Sequence, residues 1–342
     1  MRPIPYIIVL LFLSSLMQAQ NIELKDVSGY AQKKFKKAPK KVYIAQFRVI
    51  YQLLYSQVEV AQGGSEIGGG YRGDAVAGLN MAIKGLSEED IKATTNEIYA
   101  NYLKELKNSG YEIISGEAAA STKEFEGYHL KEGGTLSEEQ FRGLLTSIPD
   151  GFKYYVKETS DDGKKNKNKF NGYRLSADLD GAIVNTVTVV VPFVSDAESG
   201  ASKGLSKAVG GVAKIVVKSD LRLENEAMGA TGSFNTDVAK TYSSYYFAEK
   251  RVKPEAFTNL QLKKPVKIEG VMEEKKYKAA ESADQDLWGS SYGALTKYNV
   301  SDKYLSKTHA VEVDPKVYKE KVSAAGSAYL KEALNTLNGF TN

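Results

Sequence analysis

The chain of 342 residues contains no cysteine and only two histidines, His129 and His309, far apart in sequence. Without a thiol there is no disulfide, no thiolate metal site, no cysteine nucleophile and no lipidated cysteine. Two isolated histidines exclude a histidine-rich metal centre. A surplus of charge is also lacking: the formal net charge is +4, so there is no general electrostatic case for nucleic acid as a partner. Long apolar runs are short of what a membrane-spanning helix needs, the longest being near the start of the chain, from Tyr6 to Leu13. What remains is the composition of an ordinary globular protein, 42% hydrophobic and 26% charged.

The first twenty residues follow Arg2 with that apolar run and end on small and polar residues around Ala19. This is the order of a secretory signal peptide, so export is expected, to the periplasm, the outer membrane or the exterior of a bacterium. Residues 21–41 carry Lys33, Lys34, Lys36, Lys37, Lys40 and Lys41 around Phe35 and Pro39. The run reads as a solvated basic linker, or as a surface patch for phosphate or lipid headgroups.

Lys41 to Ser115 is the most informative stretch. Phe47, Val49, Tyr51, Leu53 and Tyr55 fall on one face at the strand period of two. After the glycine-rich stretch from Gly63 to Gly73, Ser87 and Asp90 form a capping box. Ile91, Ile98, Tyr102 and Leu106 then recur at helical spacing until Gly110, and Tyr111 to Ile114 reads as a returning strand. A parallel return makes this a βαβ unit. The strand with Ile44-Ala45-Gln46-Phe47 and the helix end Leu106-Lys107-Asn108-Ser109-Gly110-Tyr111-Glu112-Ile113-Ile114 resemble the α/β domain of curli-secretion channel subunits and the amino-terminal domain of the Tol-system propeller protein. The resemblance covers about a fifth of the chain and implies an α/β fold and an envelope role. The longer strand-to-helix connection and the missing cysteine depart from the channel pattern.

Further elements follow from pattern. Asp74 to Lys84 predicts a short helix through Val76, Leu79 and Ile83, and Ser137 to Ile148 a capped one through Phe141, Leu144, Leu145 and Ile148. Strands are expected over Phe152 to Lys157, Asn171 to Asp196, Val212 to Leu223, Tyr242 to Phe247 and Pro265 to Val271. The small-residue segment Ser199 to Gly211, between two valine-rich stretches, leaves open a membrane-inserting hairpin or an ordinary connection; Val189-Val190-Val191 breaks the alternation that insertion requires. Asp314-Pro315 opens a last helix, through Tyr318, Val322, Tyr329, Ala333 and Leu337, that should dock on the sheet. The expected fold is therefore mixed α/β: a mixed sheet with a βαβ-like unit, packed helices and a docked C-terminal helix. Residues 42–150 form the α/β unit and residues 151–342 a β-rich region, in one domain or two.

Chemistry is sparse. Gly289-Ser290-Ser291-Tyr292-Gly293 matches a hydrolase nucleophile elbow, but no strand leads into it, and Asp302 and His309 follow too closely to make its triad. Asp178-Leu179-Asp180-Gly181 lacks the later ligands of a calcium loop and reads as a turn between strands. The glycine-rich stretch lacks the Gly-Lys-Ser/Thr ending of a phosphate loop. No catalytic residue, metal ligand or cofactor site is assigned. The expected protein is a non-catalytic secreted envelope protein with a binding or assembly surface; a pore or secretion-channel subunit and a secreted hydrolase are the alternatives. Its partners are an envelope protein, another copy of itself or a membrane surface touched peripherally, with nucleic acid not expected.

Overall fold

The computed structural model describes residues 22–61, 75–138, 143–158, 166–167, 170–197, 215–226, 228, 240–281 and 308–342. In chain order these form β1 (Leu24–Asp26), a 3-10 turn (Gln32–Lys37), β2 (Lys41–Gln52), β3 (Leu54–Ala61), β4 (Ala75–Lys84), α1 (Glu88–Asn108) and β5 (Glu112–Ile114). After two more short 3-10 turns come β6 (His129–Glu132), β7 (Leu136–Glu138), β8 (Leu144–Ser147), β9 (Lys153–Glu158), β10 (Asn166–Lys167), α2 (Gly172–Asp178), β11 (Ile183–Val191) and β12 (Val194–Asp196). The remainder is β13 (Val216–Ser219), β14 (Arg222–Leu223), β15 (Tyr242–Phe247), β16 (Ala256–Leu262), β17 (Val266–Lys267), β18 (Lys276–Lys278), β19 (Ala280–Glu281), β20 (His309–Glu312) and the C-terminal helix α3 (Pro315–Thr341).

The main sheet runs β1-β16-β15-β11-β2-β8-β7, with β5 also on β2. Both β11 and β5 lie parallel to β2, whereas β8 is antiparallel to it, so β2-α1-β5 is the expected βαβ unit inside a mixed sheet. The two central strands are buried because each has both faces covered. On one face, Phe47, Val49 and Tyr51 of β2 and Ile183, Val187 and Val189 of β11 join a single core with Ile98 and Tyr102 of α1 and Val322 and Tyr329 of α3. Gly326 allows the two helices to approach, since a Cβ there would stand 2.9 Å from Ile98 Cδ1. The helix starts are those expected: Ser87 and Asp90 make the capping box of α1, and the Asp314 carboxylate accepts from the amides of Lys316 and Val317. Segments 42–150 and 151–342 thus share one sheet and one core.

Several expectations are corrected. Residues 75–84 are strand, not helix: Ala77, Leu79 and Met81 are buried at period two, and β3 pairs with β4 along the whole of β3. Val76, Leu79 and Ile83 fit a helical stripe equally well, and cross-strand pairing decides between the periods. The helix expected over 137–148 is replaced by β7 and β8, because Leu145 faces the helices and Leu144 the opposite side of the sheet, with Ile50 and Val190. Gly143 makes this possible: its φ is +82°, and a Cβ would lie 2.0 Å from the Leu54 carbonyl oxygen. Within 171–196 the chain first forms α2, capped by Asn171, so the turn at Asp178–Gly181 joins a helix to a strand. Of residues 212–223, the described ones, 215–223, form the short strands β13 and β14 and their connection. All nine residues of β11 are buried between β2 and β15, which makes it a core strand of the main sheet. The segment Ser199–Gly211 lies outside the described residues.

The basic stretch is not a detached linker. β1 pairs with β16, and the 3-10 turn drives Phe35, fully buried, between Phe247 and Phe340. A sequence of lysines hid this, because five polar neighbours surround the one side chain that anchors the turn.

Candidate functional site

The site is a break in a ladder. The outer edge of β2, away from β11, is paired by β5 at Lys41–Tyr43 and by β8 at Val49–Gln52. Between them, no described strand pairs Ile44–Phe47 on that side. Beside this gap lies a cleft of about 310 Å³, bounded by Tyr43 and Ile44 of β2, Tyr99 of α1, residues 113–117 after α1, and Gly151–Lys153. A register shift between Asn185 and Thr186 leaves Ala45 as an extra residue of β2 at the same level. Such a bulge bends its strand and turns Tyr43 and Phe47 to opposite faces of the sheet.

Aromatic packing fixes the walls. The Tyr99 ring meets Phe47 edge-on at 4.9 Å and Phe152 at 5.5 Å, and burial pushes its hydroxyl up to about 12. Tyr155, stacked on Phe125 at 4.2 Å, donates to the Gly116 carbonyl at 2.8 Å and so holds that lip from outside the cleft. The two lips approach at Gly116, where a Cβ would stand 2.6 Å from Lys153 Cβ, and they are clasped by a Glu117–Lys153 ion pair.

One buried group behind this site is unsatisfied. Tyr43 is 1% exposed, and its hydroxyl has no hydrogen-bond partner. Burial raises its pKa, with the neighbouring Tyr155 adding to the effect, so it stays a neutral donor. Native interiors satisfy nearly all such groups, and leaving one unpaired costs about 1–3 kcal/mol.

The Lys153 hydrogen bond is the main reason the Glu117 carboxyl falls from its ordinary 4.5 to about 2. A carboxyl depressed in the folded state contributes stability that is complete above the unfolded value and is lost as pH falls through the folded one. The clasp is therefore expected to be intact above about pH 4.5 and to open as the pH falls toward 2. A carboxyl-detected NMR titration of Glu117 checks this: a midpoint near 4.5 would mean that the lips are not clasped.

The residues singled out in the sequence fall elsewhere. Lys34 pairs with Glu255 at 3.2 Å and Lys41 with Glu112 at 3.3 Å. Lys40 lies over the Tyr111 ring and donates to Thr341 at the C-terminus of α3, where a cation offsets the helix dipole. Lys33, Lys36 and Lys37 are exposed. The six thus divide between fold-holding contacts and solvent. Asp178 is engaged by Arg251, which also reaches Glu124 at 3.4 Å, while Asp180 takes a positive φ of 54° in the turn. His129 and His309 are both exposed, on β6 and β20. Among the described residues no three His, Asp or Glu side chains gather as a metal site. Residues 289–302, with Ser291, lie outside the described residues. The sequence reading missed Tyr43, Tyr99, Gly116, Phe152 and Lys153; at the strand period Tyr43 shares Phe47's face, and only the bulge at Ala45 turns it to the other side, so no local signal marks it.

No family model, no curated protein and no solved structure matches the chain.

Proposed function

We propose that this chain is a non-catalytic protein, exported to a bacterial cell envelope, that works by holding a partner in the cleft beside β2. The observation that carries the reading is a preformed cleft of about 310 Å³ with aromatic walls, Tyr99 against Phe152, and lips clasped by Glu117 and Lys153. A concave site with mostly apolar walls and a few placed polar groups is the usual form of a binding pocket. The leader-like residues 1–20 support export. The clasped lips and packed aromatic walls suit recognition, in which a fixed surface loses little entropy on binding.

A photo-crosslinking amino acid at Ser115, exposed at the cleft's rim, tests this in the producing cell, with Val252, 87% exposed, as the control position. A discrete adduct from position 115, absent at 252 and lost when Ile114→Trp fills the cleft, is the expected result. Equal yields at the two positions would refute the reading.

A further inference from the structure

We infer that one end of the main sheet docks on an anionic membrane: Lys33, Lys36, Lys37, Lys250 and Lys253 engage lipid headgroups, and Val252 enters the bilayer interface. The surface shares no residue with the cleft and does not depend on it. The fold brings together two clusters that are far apart in sequence. Tyr30 and Phe257 exchange backbone hydrogen bonds at 2.8 and 3.0 Å, which sets the N-terminal 3-10 turn beside the start of β16, and Lys34 pairs with Glu255 at 3.2 Å. In a 3-10 turn side chains three apart eclipse. Phe35 takes the buried face, Lys37 shares the face of Lys34 toward Glu255, and Lys33 and Lys36 share the third face, open to solvent.

The apex of this surface is apolar and held in place. Val252 is 87% exposed, the most exposed large apolar side chain among the described residues, and stands in the β15–β16 connection between the exposed Lys250 and Lys253. Arg251 on one side grips Asp178 and reaches Glu124 at 3.4 Å. On the other, the Glu255 amide donates to the Phe247 carbonyl at 3.0 Å while its carboxylate takes Lys34. A tip fixed in this way loses little freedom when it enters an interface.

The charge left for an outside partner is positive. Lys34, Lys41 and Arg251 are occupied by Glu255, Glu112 and Asp178, whereas none of the five docking lysines pairs with an acid among the described residues. The exposed acids beside them are Glu249, on the same connection, and Asp180, whose turn is adjacent: a Cβ at Gly181 would stand 3.4 Å from Phe247 and 3.8 Å from Pro39. Peripheral attachment to a bilayer joins apolar insertion to basic contacts, each lysine near an anionic surface contributing about fivefold in affinity. A nucleic acid or a free phosphate satisfies the lysines and leaves the valine in water; an anionic bilayer uses both. A photo-crosslinker at position 252 therefore meets lipid and gives no protein adduct, as required of the control position.

The test uses the protein purified from its producing cell. Because the chain has no cysteine, Val252→Cys accepts a single environment-sensitive dye. The labelled protein is titrated with vesicles of phosphatidylcholine alone, with vesicles of equal parts phosphatidylcholine and phosphatidylglycerol, and with soluble polyphosphate. The expected result is a blue shift of the dye with the mixed vesicles only, with binding at least about tenfold tighter than to phosphatidylcholine and weakened by salt. Replacing Lys33, Lys36 and Lys37 together by Gln should weaken that binding at least about tenfold, as should Lys250→Gln with Lys253→Gln. Lys276→Gln with Lys278→Gln, exposed on β18 toward the opposite end of β11, should leave it within about twofold. No binding, equal binding to the two kinds of vesicle, an equal loss from the β18 pair, or binding with an unshifted dye would overturn the inference. Polyphosphate bound as tightly as the mixed vesicles would make this a site for soluble polyanions and overturn the membrane assignment.

Discussion

Phe35→Ala should lower the stability of the whole protein by about 3–5 kcal/mol, the usual cost of removing a fully buried aromatic side chain. Phe35 is 0% exposed, with Phe247 at 6.4 Å and Phe340 at 6.5 Å between ring centroids. It ties three parts of the chain together: the N-terminal turn, the centre of the main sheet and the last turn of α3. Truncation leaves a cavity at their junction, and the lysines around it supply no apolar surface to fill the space. Urea unfolding measures the loss, and limited trypsin digestion locates it. In the variant the bonds after Lys33, Lys36 and Lys37 should be cut well before those in α1. If the variant unfolds at the parent's midpoint and the turn stays protected, Phe35 is not the anchor described here.

Asn185→Leu should cost about 2–4 kcal/mol, although it places an apolar residue in a run of valines. Asn185 is fully buried on the helix-facing side of β11. Its amide donates to Ser243 Oγ at 3.1 Å and to the Ser244 carbonyl at 3.0 Å, and its carbonyl accepts from the Tyr102 hydroxyl at 3.0 Å. Tyr102 in turn lies 3.3 Å from the Tyr245 hydroxyl. Leucine strands at least two of these groups away from water, each at about 1–3 kcal/mol. The network explains a polar residue at the centre of the sheet: it seats α1 on β11 in one register, which apolar contact alone does not specify. Adding Tyr102→Phe to the leucine variant removes one stranded hydroxyl. The double variant should therefore lose at least about 1 kcal/mol less than the two single losses combined. Simple additivity would mean that Tyr102 and Asn185 act independently.

Those two residues also mark how far the sequence could be read. Asn185 stands out in its run, and the strand around it was legible from β-branched content. The unit β2-α1-β5 was legible too, because Ser87, Asp90 and Gly110 punctuate a helix and apolar spacing supplies its face. The same holds for α3 behind Asp314-Pro315. Phe35 was not legible, since one aromatic residue among lysines has no period. Nor was β4, where alanine and glycine fill positions that would distinguish a strand from a helix. In β8 the adjacent Leu144 and Leu145 enter opposite faces of the sheet, and adjacency looks like a helical stripe when the partner strand is unknown. The cleft was the least accessible of all. It joins Tyr43, Tyr99, Gly116 and Phe152 from four separated segments, and it exists because two strands share one edge of β2 without meeting. Register at that distance is a property of the assembled sheet and leaves no local pattern.

Tyr43 keeps a buried hydroxyl without a partner behind the cleft, and the unfolding free energy of Tyr43→Phe tests that most directly. Removing a buried hydroxyl that nothing satisfies relieves its desolvation cost while the ring keeps its packing. The empty variant should be more stable than the parent by about 1 kcal/mol or more, whereas Tyr102→Phe, which deletes a bonded hydroxyl, should be less stable by a similar amount. A Tyr43→Phe variant that loses stability as Tyr102→Phe does would show that the hydroxyl is already satisfied within the fold, and no unsatisfied group would stand behind the cleft.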